Sequence, residues 1–146
     1  MPEEIITQSA EETIQWGREF AKRLKAPVLV LLTGDLGTGK TTLTKGLVSG
    51  LGAANENEVT SPTFTLVHVY GGLTNTTAKV YHADLYRVDT FHEFETLGME
   101  DIFAAPAIVI LEWSEKLPLP SPWPLVRVRL EHLGGDSRRI SVLDAA

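Results

Sequence analysis

A short glycine-rich segment carries the residues of this chain that are best suited to bind phosphate. In TGDLGTGKTT, Gly34 is followed after four residues by Gly39, Lys40 and Thr41. Glycines at this spacing let backbone N–H groups turn toward phosphate oxygens, and the start of a helix adds partial positive charge. The Lys40 side chain can reach the β- and γ-phosphates, and the Thr41 hydroxyl can bind Mg²⁺. The segment therefore predicts a nucleotide-binding loop.

An acidic residue at the end of an apolar run is the candidate for a second Mg²⁺ ligand, in addition to the Thr41 hydroxyl. The run from Ala107 to Leu111 is followed directly by Glu112. In P-loop hydrolases, an acidic residue of this kind holds Mg²⁺ together with the hydroxyl of the loop. Glu112 is therefore the predicted Walker B carboxylate. The alternative is an exposed glutamate that merely ends a strand.

Further polar candidates lie in YHADLYR. Strand alternation places His82 and Asp84 on one face. Metal binding by these two residues is one interpretation and a solvated hairpin face is the other, because two ligands do not make a metal site. The segment Thr60 to Thr65 offers hydroxyls where a nucleotide-sensing loop is common, although a turn that enters a strand is the favoured interpretation.

Two helices are predicted around the glycine-rich loop. Ser9 to Glu12 form a capping box, which begins a helix from Ala10 to about Leu24. A second helix runs from Lys40 to about Leu51. A further capping box at Thr90 predicts a short helix that ends at Gly98.

The strand pattern predicts a mixed sheet. Val28 to Thr33 is apolar throughout, which is typical of a strand covered on both faces in a largely parallel sheet. Ala107 to Leu111 has the same pattern. Two hairpins are predicted from the β-rich runs Phe64–Tyr70 with Ala78–Tyr86 and Leu125–Leu130 with Arg139–Leu143. The expected fold class is α/β, a P-loop NTPase fold with a largely parallel central sheet flanked by helices and antiparallel hairpins.

Composition narrows the class of protein. At 146 residues, with 43% hydrophobic and 22% charged residues, the sequence predicts one globular domain over residues 1–146. Its apolar runs are far shorter than the roughly 20 residues of a membrane span. The absence of cysteine excludes disulfides and thiol catalysis, and a cytoplasmic location is expected. A formal charge of −6 disfavours direct nonspecific binding of nucleic acid, so a partner is expected to hold any RNA.

The motifs together resemble the TsaE family. GDLGTGKTT, TSPTFTLVHVY, VYHADLYRV, LGMEDIF and ILEWSEKL occur in this order between Ile5 and Val142. The resemblance implies a weak ATPase, with ATP and Mg²⁺ bound, that is required for threonylcarbamoyladenosine modification of tRNA. It also implies the partners TsaD and TsaB, whose complex transfers the threonylcarbamoyl group to adenosine 37, with the tRNA contacted only indirectly.

The resemblance further implies roles for individual residues. The phosphates would be held by Leu36, Gly37, Thr38, Gly39, Lys40 and Thr41. Thr41 and Glu112 would bind Mg²⁺, and Lys40, Asp84 and Glu112 would take part in catalysis. Whether Asp84 acts as a base or as a ligand on the metal side is left open. The turn at Gly135, followed by Arg139, is expected to contact the nucleotide again.

Two other functions fit the loop. A small-molecule kinase would need cations around an anionic acceptor, yet between Gly46 and Val126 the sequence has only Lys79, Arg87 and Lys116. A nucleotide-gated adaptor would need only that ATP favour one conformation. GTP is disfavoured as the nucleotide because the sequence lacks an Asn-Lys-x-Asp segment.

Overall fold

The computed structural model describes residues 3–34, 39–53, 59, 67–70, 79–84, 106–112 and 124–144. The described elements begin as alternating strands and helices and continue as five strands, which agrees with the predicted α/β class. The elements are β1 (Glu3–Thr7), α1 (Ala10–Ala21), β2 (Val28–Thr33), α2 (Lys40–Gly50), β3 (Val67–Tyr70), β4 (Val80–Asp84), β5 (Ile108–Glu112), β6 (Leu125–Gly134) and β7 (Ser137–Asp144).

The described strands form one seven-stranded sheet in the order β1-β7-β6-β2-β5-β4-β3. The four central strands β6, β2, β5 and β4 are parallel to one another, whereas β3 pairs antiparallel at one edge and β7 and β1 pair antiparallel at the other. Every residue of β2 is buried, as predicted for a strand covered on both faces. The predicted mixed, largely parallel sheet is therefore confirmed.

The capping box predicted before α1 is present. Ser9 Oγ accepts a hydrogen bond from the Glu12 N–H at 3.1 Å, and Glu12 Oε2 accepts one from the Gln8 N–H at 3.2 Å. The glutamate thus reaches the residue before the cap. The helix ends at Ala21, three residues before the expected end, and Leu24 stays buried in the core after it.

Helices α1 and α2 contact each other through glycines. A Cβ atom added to Gly46 would lie 2.2 Å from the carbonyl oxygen of Ile14, and one added to Gly50 would lie 2.7 Å from the Arg18 Cα. The backbones therefore approach closely, and the buried side chains of Phe20, Leu43 and Leu47 belong to the core formed with the sheet. This packing fixes the position of α2, which carries Lys40 and Thr41.

The strands outside the β2–β5 pair are where the structure departs most from expectation. Strand β1 was not predicted, and β6 and β7 extend further toward their turn than the apolar runs indicated. Strands β3 and β4 form the predicted hairpin, but β4 also pairs in parallel with β5, so it lies inside the sheet. The predicted helix from Thr90 to Gly98 and the segment Thr60 to Thr65 fall outside the described residues.

Neither described helix is long and apolar enough to cross a membrane. The assignment of residues 1–146 to one domain stays a prediction.

Candidate functional site

Lys40 joins the two ends of the glycine-rich loop. It is the first residue of α2, its side chain is 6% exposed, and its Nζ donates to the carbonyl oxygen of Gly34 at 2.7 Å. Gly34 directly follows β2, so this hydrogen bond connects the strand end to the helix start. An ammonium group has three donors, so Lys40 can keep this contact and still donate to a phosphate. Leu36, Gly37 and Thr38 lie outside the described residues, and their predicted roles stay predictions.

Gly39 provides a helix start suited to an anion. It is the N-cap residue of α2, its φ of 100° is in the left-handed region, and no side chain caps the helix from this position. Other residue types adopt this backbone conformation only at a cost. The first N–H groups of a helix have no partner within it, so they can donate to a bound group.

Thr41 and Glu112 meet at the carboxyl end of the parallel strands. Strand β5 lies beside β2, with Glu112 in register with Leu32. The Thr41 Oγ1 donates to Glu112 Oε1 at 3.5 Å, the outer limit of a hydrogen bond. Glu112 is only 4% exposed, so the alternative of an exposed glutamate that merely ends a strand is wrong. Sequence reasoning correctly identified the strand and its neighbour, and the structure places the two oxygens together.

His82 contacts the other oxygen of the same carboxylate. Its Nε2 lies 2.8 Å from Glu112 Oε2, and its side chain is fully buried. The interpretation of this face as solvated is therefore wrong for His82. No group of three or more His, Cys, Asp or Glu side chains that could hold a metal occurs in the described part of the chain. Because the Asp84 side chain is not among the described ones, metal binding by His82 and Asp84 stays a prediction.

Asp84 ends β4 at the same edge of the sheet. Its backbone is in register with Glu112 on β5, two residues beyond His82. The carboxyl ends of adjacent parallel strands are where ligands bind in open α/β sheets. Its side chain lies outside what the structure describes, so its role as base or metal-side ligand stays a prediction.

The β6–β7 hairpin brings Arg138 close to the loop. The Arg138 Nε lies 3.7 Å from the position of a Cβ added to Gly39. Arg138 also donates to the carbonyl oxygen of Gly135, which has a φ of 53° in the hairpin turn, at 3.0 Å. The carbonyl oxygen of Gly135 therefore helps to hold Arg138 beside the glycine-rich loop.

Arg139, the arginine singled out from the sequence, points elsewhere. Its Nε lies 3.4 Å from Glu4 Oε1 without hydrogen-bond geometry, and its Nη1 lies 3.6 Å from Glu131 Oε2. Strand alternation could have identified Arg138 instead, because it shares the inward face of β7 with Ile140 and Val142, which are buried in the core.

The sheet order, the glycine loop between β2 and α2, and the buried glutamate at the end of the adjacent β5 define a protein of the P-loop NTPase fold class. A family model described as "Threonylcarbamoyl adenosine biosynthesis protein TsaE" matches residues 7–140. The chain therefore belongs to the TsaE family of threonylcarbamoyladenosine biosynthesis proteins.

Similar proteins carry TsaE names. The chain is 34% identical to tRNA threonylcarbamoyladenosine biosynthesis protein TsaE of Treponema pallidum, covering 94% of this chain and 97% of that protein. It is 38% identical to the protein of that name from Haemophilus influenzae, covering 89% of this chain and 82% of that one. The crystal structure of Bacillus subtilis YdiB superposes with a TM-score of 0.67 at 28% identity, covering 97% of this chain and 84% of that chain.

Proposed function

We propose that this chain is a Mg²⁺-dependent ATPase that supports N6-threonylcarbamoylation of adenosine 37 in tRNA, by driving turnover of the TsaD–TsaB complex. Membership of the TsaE family supports the place in tRNA modification. The observation that carries the ATPase proposal is the approach of Thr41 Oγ1 to Glu112 Oε1 beside the buried Lys40. These three groups supply the two metal-side oxygens and the cation that phosphoryl transfer requires.

The donor atoms fit Mg²⁺. A hydroxyl and a carboxylate are the hard oxygen ligands that this ion prefers, and Mg²⁺ binds through one or two such groups plus phosphate oxygens and water. Adjacent oxygens around octahedral Mg²⁺ are about 3 Å apart. The separation of 3.5 Å between Thr41 Oγ1 and Glu112 Oε1 is close to this value. When bound, Mg²⁺ would offset negative charge on the β- and γ-phosphate oxygens.

The chain's own residues would act by position and charge. Lys40 would stabilise the charge on the transferring phosphoryl group while its bond to Gly34 keeps the loop closed. The uncapped start of α2 would donate to phosphate, and Arg138 would add positive charge beside Gly39. Asp84 would orient the attacking water or accept its proton.

The formal charge supports a separation of hydrolysis from group transfer, which the family resemblance implies. The chain carries a formal charge of −6, which opposes direct binding of the polyanionic tRNA. In the proposed cycle, the TsaD–TsaB complex holds the tRNA and transfers the threonylcarbamoyl group, whereas ATP hydrolysis in this chain changes the state of that complex. The partner contacts therefore couple the two sites.

An ATPase assay on purified protein, with and without the TsaD–TsaB complex, tests this proposal. Lys40→Ala is expected to lower the hydrolysis rate by at least about 100-fold, because it removes the cation that stabilises the transferring group. Lys45→Ala is the matched control: it also removes a lysine from α2, but at a position about 1.4 turns beyond Lys40. Undiminished hydrolysis by folded Lys40→Ala protein would refute the mechanism.

The same assay separates the alternatives. A stable phosphorylated small molecule in place of free phosphate would identify a kinase. If a non-hydrolysable ATP analogue sustains repeated tRNA modification as well as ATP does, binding is the functional step and the chain is a nucleotide-gated adaptor. Asp84→Ala and Glu112→Ala, tested with each nucleotide, show whether chemistry or binding is lost.

A further inference from the structure

A buried histidine outside the proposed catalytic set contacts the carboxylate at the centre of the site. His82 lies on β4 in register with Ile110, two residue pairs before the pair formed by Asp84 and Glu112. Because it lies on the strand next to β5 and on the same side of the sheet, its ring reaches Glu112 diagonally. Its side chain is fully buried, so its position is fixed by packing on all sides.

The two oxygens of Glu112 have different partners. Oε1 lies 3.5 Å from Thr41 Oγ1, whereas Oε2 lies 2.8 Å from His82 Nε2. The final torsion of a glutamate side chain is soft, so a carboxylate without a second contact can rotate freely. A short hydrogen bond to a buried ring removes this freedom. Of the two contacts, the one to His82 is the shorter and therefore determines the orientation.

The hydrogen-bonding pattern of His82 indicates a role beyond packing. A carboxylate oxygen accepts, so the proton of this contact is assigned to Nε2. The other ring nitrogen, Nδ1, is buried and has no hydrogen-bond partner within the described part of the chain. A buried polar atom without a partner is destabilising, and an apolar side chain would avoid that cost. The contact with Glu112 gives a reason for histidine at this position.

We propose that His82 is a positioning residue that holds Glu112 with Oε1 directed at Thr41 and the metal. This inference rests on the proposed function, since it assumes that Glu112 binds Mg²⁺. Residues that hydrogen-bond to metal ligands typically change metal affinity by about 10- to 100-fold when they are replaced. Loss of His82 should therefore weaken metal binding within this range and leave metal-free nucleotide binding nearly unchanged, because the glycine loop and Lys40 lie on other elements.

Binding of Mn²⁺ to the full-length chain in the presence of ADP tests the inference, with free Mn²⁺ measured by its electron paramagnetic resonance signal. His82→Gln places an amide nitrogen near the position of Nε2, whereas His82→Asn is too short to reach Glu112. The glutamine variant is expected to stay within about 3-fold of the unsubstituted protein, and the asparagine variant to bind Mn²⁺ about 10- to 100-fold more weakly. Circular dichroism checks that both variants are folded, and the pair compares two amides of similar polarity.

His68→Gln is the matched control. His68 lies on β3 in register with His82, and its ring centroid is 6.3 Å from that of His82, but its hydrogen bond is to the Tyr70 hydroxyl. Its replacement should leave Mn²⁺ affinity within about 2-fold of the unsubstituted protein, since this residue does not orient Glu112.

The outcomes distinguish this inference from the proposed function. If Glu112→Gln weakens Mn²⁺ binding but folded His82→Asn does not, the inference is overturned and the proposed function stands. If the unsubstituted protein with ADP bound takes up no Mn²⁺, or if Glu112→Gln has no effect on Mn²⁺ binding, the proposed metal site fails and the inference fails with it. Weakening by His82→Asn, rescue by His82→Gln and no change in His68→Gln support the inference.

Discussion

The contact between α1 and α2 allows a quantitative prediction for Gly46→Ala. The added Cβ would lie 2.2 Å from the carbonyl oxygen of Ile14 and 3.1 Å from the Gly17 Cα, whereas ordinary contacts begin at 3.4 Å. The helices would have to separate locally by about 1 Å, because a backbone carbonyl cannot rotate away as a side chain can. Since α2 carries Lys40 and Thr41, this separation would also displace the start of the phosphate loop.

Two effects of opposite sign determine the size of the change. Overpacking of a tightly packed region costs about 1–3 kcal/mol, and the backbone clash places Gly46 near the upper end of this range. Replacing glycine by alanine inside a helix contributes about 0.8–1 kcal/mol in the other direction. The net loss in free energy of unfolding is therefore about 2 kcal/mol. For a chain of this size this corresponds to a decrease in Tm of about 4–8 °C.

Thermal denaturation followed by circular dichroism measures this change, and three further variants make the test stricter. The shortest contact of an added Cβ is 2.7 Å at Gly50 and 3.0 Å at Gly17. Because these contacts are longer than at Gly46, Gly50→Ala and Gly17→Ala should destabilise less than Gly46→Ala. Lys45→Ala, at a half-buried position of the same helix, should stay within about 0.5 kcal/mol of the unsubstituted protein. A Gly46→Ala variant that melts at or above the unsubstituted protein would refute the reasoning from backbone contact.

Three other predictions follow from the cap, the hairpin and the metal. Ser9→Ala removes the acceptor for the Glu12 N–H and should lower the free energy of unfolding by about 1 kcal/mol. Thermal denaturation should show this as a decrease in Tm of about 2–4 °C. An unchanged Tm would contradict the role of the cap. Arg138→Ala should weaken ATP binding by about 10-fold in calorimetry, because it removes positive charge beside Gly39. Arg139→Ala should change the ATP affinity by less than about 2-fold. Equal effects of the two substitutions would contradict the placement of Arg138 beside the phosphate-binding loop. Chelation of Mg²⁺ by EDTA should stop ATP hydrolysis, with recovery on adding excess Mg²⁺, and activity that persists in EDTA would exclude the proposed metal chemistry.

Local sequence signals were sufficient for the part of the fold that carries the loop. The apolar run Val28 to Thr33, the capping box at Ser9 and the helix start at Lys40 each depend on residues within a few positions of one another. The position of Glu112 was predictable because a fully apolar strand of this kind belongs inside a parallel sheet, next to a strand of the same type.

Features that depend on strand pairing were not predictable. Strand β1 is stabilised by pairing with β7, and four of its five residues are exposed, so its own sequence has no alternating apolar pattern. A solvated face was one of two interpretations for His82, because the hairpin with β3 is a local signal, whereas the parallel pairing that places β4 inside the sheet beside β5 is not. The choice between Arg138 and Arg139 likewise depended on which face of β7 meets the core.

The distribution of buried polar groups is itself an argument for where the site lies. Lys40, His82 and Glu112 are at most 6% exposed, and burial of such groups opposes folding unless specific contacts offset it. Lys40 begins α2, Glu112 ends β5, and His82 reaches Glu112 from the middle of β4, whereas the interiors of β2 and β5 are apolar. A chain selected for stability alone would place apolar side chains there. The stability comes from the close packing of α1 on α2 and from the apolar centre of the sheet. This stability offsets the cost of holding the buried polar groups in fixed positions.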